Sequence, residues 1–246
     1  MTNPTKARTA REKLILALDV PSLDEAVNLV KELKDEVGLF KVGLELYAHG
    51  GTRLFEAMRA EGVLFFFDCK FHDIPNTVAR ASQALVGQGI AMFNVHAAGG
   101  FEMMHETVTA TQRAAQIANV QVPKIIAVTM LTSISDKEAE EIGFASTVSA
   151  LVPKLALLSK KAGLDGVVAS AKEVNAIRKA CGPDFLIVTP GIRPSWSSND
   201  DQKRIVTPAQ AIKDGADYLV IGRPITQASS RRDAARRIVE EMESTN

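Results

Sequence analysis

No apolar run in this chain approaches the roughly 20 residues needed to cross a bilayer. Its first segment, MTNPTKARTAREK, has no apolar core of the kind a signal peptide carries. An excess of either charge is also missing. The 29 basic and 29 acidic residues cancel, so nothing marks a footprint for nucleic acid or an anionic membrane. Cysteine is scarce. Cys69 and Cys181 stand far apart and form no CxxC, which argues against a disulfide framework and for a reducing compartment. Metal-ligand spacing is absent as well. The expectation is a cytoplasmic protein without metal, nucleic-acid or membrane partners.

What the chain does have is length, core material and rhythm. Its 246 residues are 46% hydrophobic and 24% charged, enough to bury a sizeable core without staples. After a polar tail over 1–12, apolar runs recur at regular spacing: LILALD (14–19), GLFKVG (38–43), VLFFFD (63–68), IAMFNVH (90–96), PKIIAVTM (123–130), LDGVVAS (164–170), DFLIVTPGI (184–192) and ADYLVIGRP (216–224). Between them lie helical patterns over about 24–34, 44–61 and 78–88, one opened by Gly99-Gly100, then 146–162, 171–180 and 208–214, with a last helix to about Met242. Nearly continuous apolar strands are those of a parallel sheet buried on both faces. Eight such units predict an α/β fold, a closed (β/α)8 TIM barrel over 13–246 in a single domain. A doubly wound open sheet is the alternative.

In such a barrel, chemistry sits at the C-terminal ends of the strands. Those ends carry Asp19, Lys41, Asp68 with Lys70 and Asp73, Asn94 with His96, Thr129 with Thr132, Ser170, Gly191 with Arg193, and Gly222 with Arg223. Loops after the seventh and eighth strands often hold phosphate. Here both carry glycine followed closely by arginine, GIR (191–193) and GR (222–223). Glycine lets backbone N–H groups approach an anion, and arginine offers a planar fork of donors. One such pair is commonly a turn with a surface arginine. Two pairs at the two expected loops point to phosphate.

Asp19, Lys41, Asp68, Lys70 and Asp73 form an alternating array at the other side of the rim. Alternation along the third strand puts Asp68 and Lys70 on one face and Cys69 and Phe71 on the other. A Schiff-base lysine is one whose ammonium is destabilised. The acids around Lys70 act the other way, whereas Lys41 opposes them. An ammonium fixed in a dry site can donate a proton and stabilise a developing carbanion. A salt-bridge network stapling the rim is the bland alternative, and the phosphate loops opposite favour chemistry.

DCKFHDIPNT (68–77) resembles the signature of the orotidine 5′-phosphate decarboxylase family. LALD (16–19), FKVG (40–43), NVHAAGG (94–100), AVTMLTS (127–133), TPGIRP (189–194) and IGRPI (221–225) match it in order and spacing over nearly the whole chain. The resemblance implies a carboxy-lyase without cofactor or metal that makes uridine 5′-monophosphate in pyrimidine biosynthesis. It implies Lys70 as proton donor to C6 and Asp68 beside the departing carboxylate. Lys41 and Asp19 would bind ribose hydroxyls, and Thr132 the pyrimidine edge. Arg193, Gln202, Gly222 and Arg223 would hold phosphate, with 193–204 as a lid. Asp73 and Thr77 would reach the partner's site in a homodimer. Two rivals remain. One is a metal-dependent sugar-phosphate decarboxylase or aldolase, which shares DxKxxD and would hold Mg²⁺ on Asp68 and Asp73. The other is an inactive nucleotide-binding barrel, against which Lys70 speaks.

Overall fold

The computed structural model describes residues 8–197 and 206–244. Eight parallel strands close on themselves in chain order: β1 Leu14–Ala17, β2 Leu39–Val42, β3 Phe65–Phe71, β4 Ile90–His96, β5 Lys124–Val128, β6 Gly166–Val168, β7 Leu186–Pro190 and β8 Tyr218–Ile221. Closure is made by β8 against β1, with Ile15 opposite Val220. The barrel is the architecture expected from the eight apolar runs. A closed sheet leaves no edge to protect, so short strands of three to seven residues suffice.

Each strand sends alternate residues to two cores. Ile15, Ala17, Leu39, Phe66, Met92, Ile126, Leu186, Val188, Tyr218 and Val220 fill the barrel interior. Their neighbours, such as Leu16, Phe40, Phe65, Phe67, Phe93 and Ile187, pack outward against helix residues including Leu29, Leu33, Phe55 and Met58. Polar staples brace the N-terminal ends of the strands. Arg178 donates to the carbonyls of Gly182, Phe185 and Gly215 and pairs with Asp217. The Asp165 carboxylate accepts from Ile125 N–H at 2.8 Å and from Lys124 Nζ at 2.7 Å. The C-terminal ends are left free for function.

Several element boundaries differ from the sequence reading. Regular structure begins before residue 13. Ala10–Lys13 is a short helix with a capping box, in which Thr9 Oγ1 accepts from Glu12 N–H and Glu12 Oε2 from Thr9 N–H. The 44–61 pattern is two helices, Leu44–Gly50 and Arg53–Ala60, parted at Gly51, whose φ of 54° no helix accepts. The helix expected from residue 78 starts at Pro75, the first-turn position where a missing N–H costs nothing. The acidic stretch 133–143 contains the helix Asp136–Glu141, capped by Ser135. Arg223 opens a short helix, Arg223–Thr226.

Gly38 joins the first helix to the barrel floor. Its N–H donates to Leu14 O at 2.9 Å, and a Cβ there would lie 2.5 Å from Glu12 O. Gly38→Ala is expected to push the Ala10–Lys13 helix away and cost about 1–3 kcal/mol in denaturant unfolding. A parent-like midpoint would contradict this packing.

Candidate active site

Adjacent strands deliver the charged residues side by side. Ala17 pairs with Lys41 across β1 and β2, and Lys41 pairs with Phe66 across β2 and β3. Asp68 stands two residues beyond Phe66, on the same interior side and one layer nearer the mouth. Its carboxylate is the hub. Lys70 Nζ lies 2.7 Å from Asp68 Oδ1, and Lys41 Nζ lies 3.6 Å from Asp68 Oδ2. Lys41 also reaches Asp19 Oδ1 at 3.0 Å. Asn94 Nδ2 donates to Asp68 Oδ1 at 2.7 Å. Gly43 leaves room for this arrangement, since a Cβ there would come within 2.9 Å of Lys41 Nζ.

The side chains of Asp68 and Lys41 are only 14% and 11% exposed. Burial pushes the Asp68 carboxyl up. The charges of Lys41 and Lys70, with hydrogen bonds from Lys70 and Asn94, outweigh burial and hold it below the usual aspartate value. His96 follows on β4, stacked on His72 with ring centroids 5.4 Å apart. Desolvation lowers its pKa, the charges of His72 and Lys70 lower it further, and Asp68 opposes them. His96 is thereby biased toward neutral imidazole beside the charged array.

Asp68 and Lys70 do share a side, as the sequence predicts, but the ladder that carries them is irregular. Lys70 has φ 49°, a left-handed conformation that costs a residue with a side chain about 1–3 kcal/mol. Phe67 stays opposite Phe93, but the next pair is Phe71 with Val95. Cys69 does face away as expected. It is buried in the outer core, its Sγ donates to Asn94 O at 3.1 Å, and burial raises its thiol to about 12.

A cavity of about 350 Å³ opens over this array. Asp19, Lys41, Asp68 and Lys70 line one side; Gly191, Arg193, Gly222 and Arg223 line another; Thr132 also faces it. Its walls are apolar, from Phe66, Val128, Met130, Val168, Ile192 and Val220. The guanidinium groups of Arg193 and Arg223 make no ion pair among the described residues, which leaves both donor forks for a ligand. The structure thus brings together nine of the residues singled out in sequence. It does not bring Asp73 or Thr77 to this cavity. Both are exposed, and Asp73 Oδ1 accepts from Ile74 N–H at 2.7 Å. Gln202 and most of the expected lid lie outside the described residues. Among the described residues, no three His, Cys, Asp or Glu side chains are grouped to hold a metal.

Asn94 went without a role in the sequence reading. Its signal was a lone amide inside the apolar run IAMFNVH, and the run alone does not say what that amide faces. Arranged as it is, the site can bind an anion at one side and present a fixed ammonium beside a carboxylate at the other.

Comparison with known proteins adds a family and a fold to this geometry. The family model described as "Orotidine 5′-phosphate decarboxylase / HUMPS family" matches residues 12–238. Orotidine 5′-phosphate decarboxylase of Syntrophomonas wolfei is 51% identical over 95% of this chain and 99% of its own. That of Moorella thermoacetica is also 51% identical, over 95% of this chain and 93% of its own. The crystal structure of orotidine 5′-phosphate decarboxylase from Lactobacillus acidophilus superposes with a TM-score of 0.83 at 37% identity, covering 93% of this chain and 98% of that one.

The depressed Asp68 carboxyl has a consequence for stability. A folded-state value below the ordinary 3.8 contributes stability that is fully present above 3.8 and lost as pH falls through the folded value. In guanidinium unfolding from about pH 6 to about pH 3, Asp68→Asn is expected to lose less stability than the parent. Equal losses would show that Asp68 is not held ionised.

Proposed function

This chain belongs to the orotidine 5′-phosphate decarboxylase / HUMPS family, and on that premise we propose how its barrel mouth carries out the reaction. The enzyme is a carboxy-lyase of pyrimidine biosynthesis that converts orotidine 5′-monophosphate to uridine 5′-monophosphate and CO₂. The bond from C6 of the pyrimidine to its carboxylate breaks. CO₂ leaves, and the electron pair stays on C6. The Lys70 ammonium stabilises that pair and delivers a proton to it. The resulting amine regains its proton from water, so charge and protons balance.

The observation that carries this reading is the chain Asp19–Lys41–Asp68–Lys70, in contacts of 2.7–3.6 Å, open to a cavity lined on another side by two arginines that make no ion pair among the described residues. Fixed charge that needs no reorganisation during the reaction is what a carbanion without an electron sink requires. Asp68 sits beside the departing carboxylate and keeps the Lys70 ammonium aimed at C6. Lys41 and Asp19 bind ribose hydroxyls, and Thr132 meets the pyrimidine edge. Arg193, Arg223, Gly222 and Gln202 hold the phosphate. Binding energy from that remote end orders the substrate over the array. The donor set also favours this reading over a metal-dependent one, because two ammonium groups already flank the Asp68 carboxylate.

Asp73 and Thr77 act in trans. Both are exposed and away from their own cavity, and Ile74 between them is 66% exposed. The working unit is a homodimer whose subunits each lend these residues to the other's site. It acts in the cytoplasm, which suits its two free cysteines.

Lys70→Ala is expected to lower kcat by at least about 100-fold, the scale of a positioned general acid, while circular dichroism stays unchanged. Turnover near the parent's would refute the assignment. Shared sites have their own test. Lys70→Ala and Asp73→Asn proteins, each nearly inactive alone, are expected to recover about a quarter of parent activity when dissociated and reassociated in equal amounts. No recovery in verified mixed dimers would show that Asp73 serves its own subunit.

A further inference from the structure

The strand that carries the proposed proton donor is irregular at that residue, and one side chain from the next strand fills the irregularity. Between the pairs Phe67–Phe93 and Phe71–Val95, Asp68, Cys69 and Lys70 of β3 stand against Asn94 alone. A regular ladder cannot pair three residues with one. Lys70 N–H is turned out of the ladder by its left-handed φ, and it would be an orphan donor without a partner.

Asn94 supplies that partner. It is fully buried. Its Oδ1 accepts from Lys70 N–H at 2.7 Å, and its Nδ2 donates to Asp68 Oδ1 at 2.7 Å. Its backbone carbonyl takes the Cys69 thiol. Only a carboxamide offers an acceptor and a donor on one short, rigid fork. Aspartate keeps the acceptor and loses the donor, and an aliphatic side chain loses both. The Lys70 ammonium then closes the loop at Asp68 Oδ1, 2.7 Å away.

We infer that Asn94 is a positioning residue for the decarboxylation, holding β3 in the kinked form that sets the Lys70 ammonium and the Asp68 carboxylate against the same reacting carbon. This rests on the proposed function. Asn94 itself need not touch substrate, and it does not line the cavity. Its effect is on orientation, where displacement by a single ångström can cost about 100-fold in rate. The charged groups facing Asp68 are Lys41 from β2 and Lys70 from β3. Asp19 acts through Lys41, and His96 stands farther along β4. The Asn94 hydrogen bond is one of the contacts that keep the Asp68 carboxyl ionised.

The test compares the parent, Asn94→Ala and Asn94→Asp in steady-state turnover of orotidine 5′-monophosphate across pH, with thermal unfolding alongside. Asn94→Ala is expected to lose about 100-fold in kcat. KM should stay within about threefold, since the phosphate and ribose contacts are untouched. The acidic limb of its kcat profile should move to higher pH, because Asp68 loses a donor to its charged form. A merely structural role would lower the unfolding midpoint and leave both the limb and the kcat of folded enzyme in place. Asn94→Asp keeps the acceptor for Lys70 N–H, so it decides the matter if the alanine variant does not fold; it should show the same loss of kcat. An active parent beside a folded variant within about twofold of its kcat overturns this inference alone. A parent without turnover overturns the functional reading and this inference with it.

Discussion

Everything at the barrel mouth depends on the Asp68 carboxylate being kept charged in a place where water barely reaches it. Burial works against that charge. Two ammonium groups and an amide donor offset it, and all three come within 3.6 Å. Each partner is in turn fixed by what it touches. Lys41 is held by Asp19, and Asn94 is locked by Lys70 N–H. Removing Asp68 takes the acceptor from both the Lys70 ammonium and the Asn94 amide, the costly case for polar groups in a low-dielectric setting.

The barrel makes this network possible through its connectivity. Strands adjacent in sequence are adjacent in space, so β1 to β4 deliver Asp19, Lys41, Asp68, Lys70 and Asn94 as a contiguous wall. The loops after β7 and β8 bring Gly191, Arg193, Gly222 and Arg223 to the same cavity from the other part of the ring. On the proposed reading, a substrate with a phosphate at one end and a carboxylate at the other would be held across the mouth. The division of labour would then be spatial: the phosphate end would supply binding energy, and the carboxylate end would meet charge that was ordered before it arrived.

Much of this was legible residue by residue. IAMFNVH is a strand over the same residues in the structure, because a run of apolar side chains bounded by glycines on both sides has few other fates. Asp19, Lys41, Asp68 and Lys70 were marked by standing at the ends of apolar runs, and they do converge. The kink at Lys70 was not legible. Period-two alternation assumes an unbroken ladder, and the ladder is broken by an amide 24 residues away in sequence. The helix expected from residue 78 starts three residues earlier, at Pro75, because proline marks turns and first helical positions alike. Gly50-Gly51 carried the break within 44–61, but the apolar stripe of Leu46, Leu54, Phe55 and Met58 runs across it and masks it.

On the proposed mechanism, fixed ammonium charge, with no metal, carries the carbanion. The most direct measurement is to strip the purified protein exhaustively with EDTA, add orotidine 5′-monophosphate, and follow the ultraviolet change together with release of uridine 5′-monophosphate. One nucleotide product per substrate is expected, at a rate equal to that of untreated enzyme. Activity lost on stripping and restored by Mg²⁺ would contradict it.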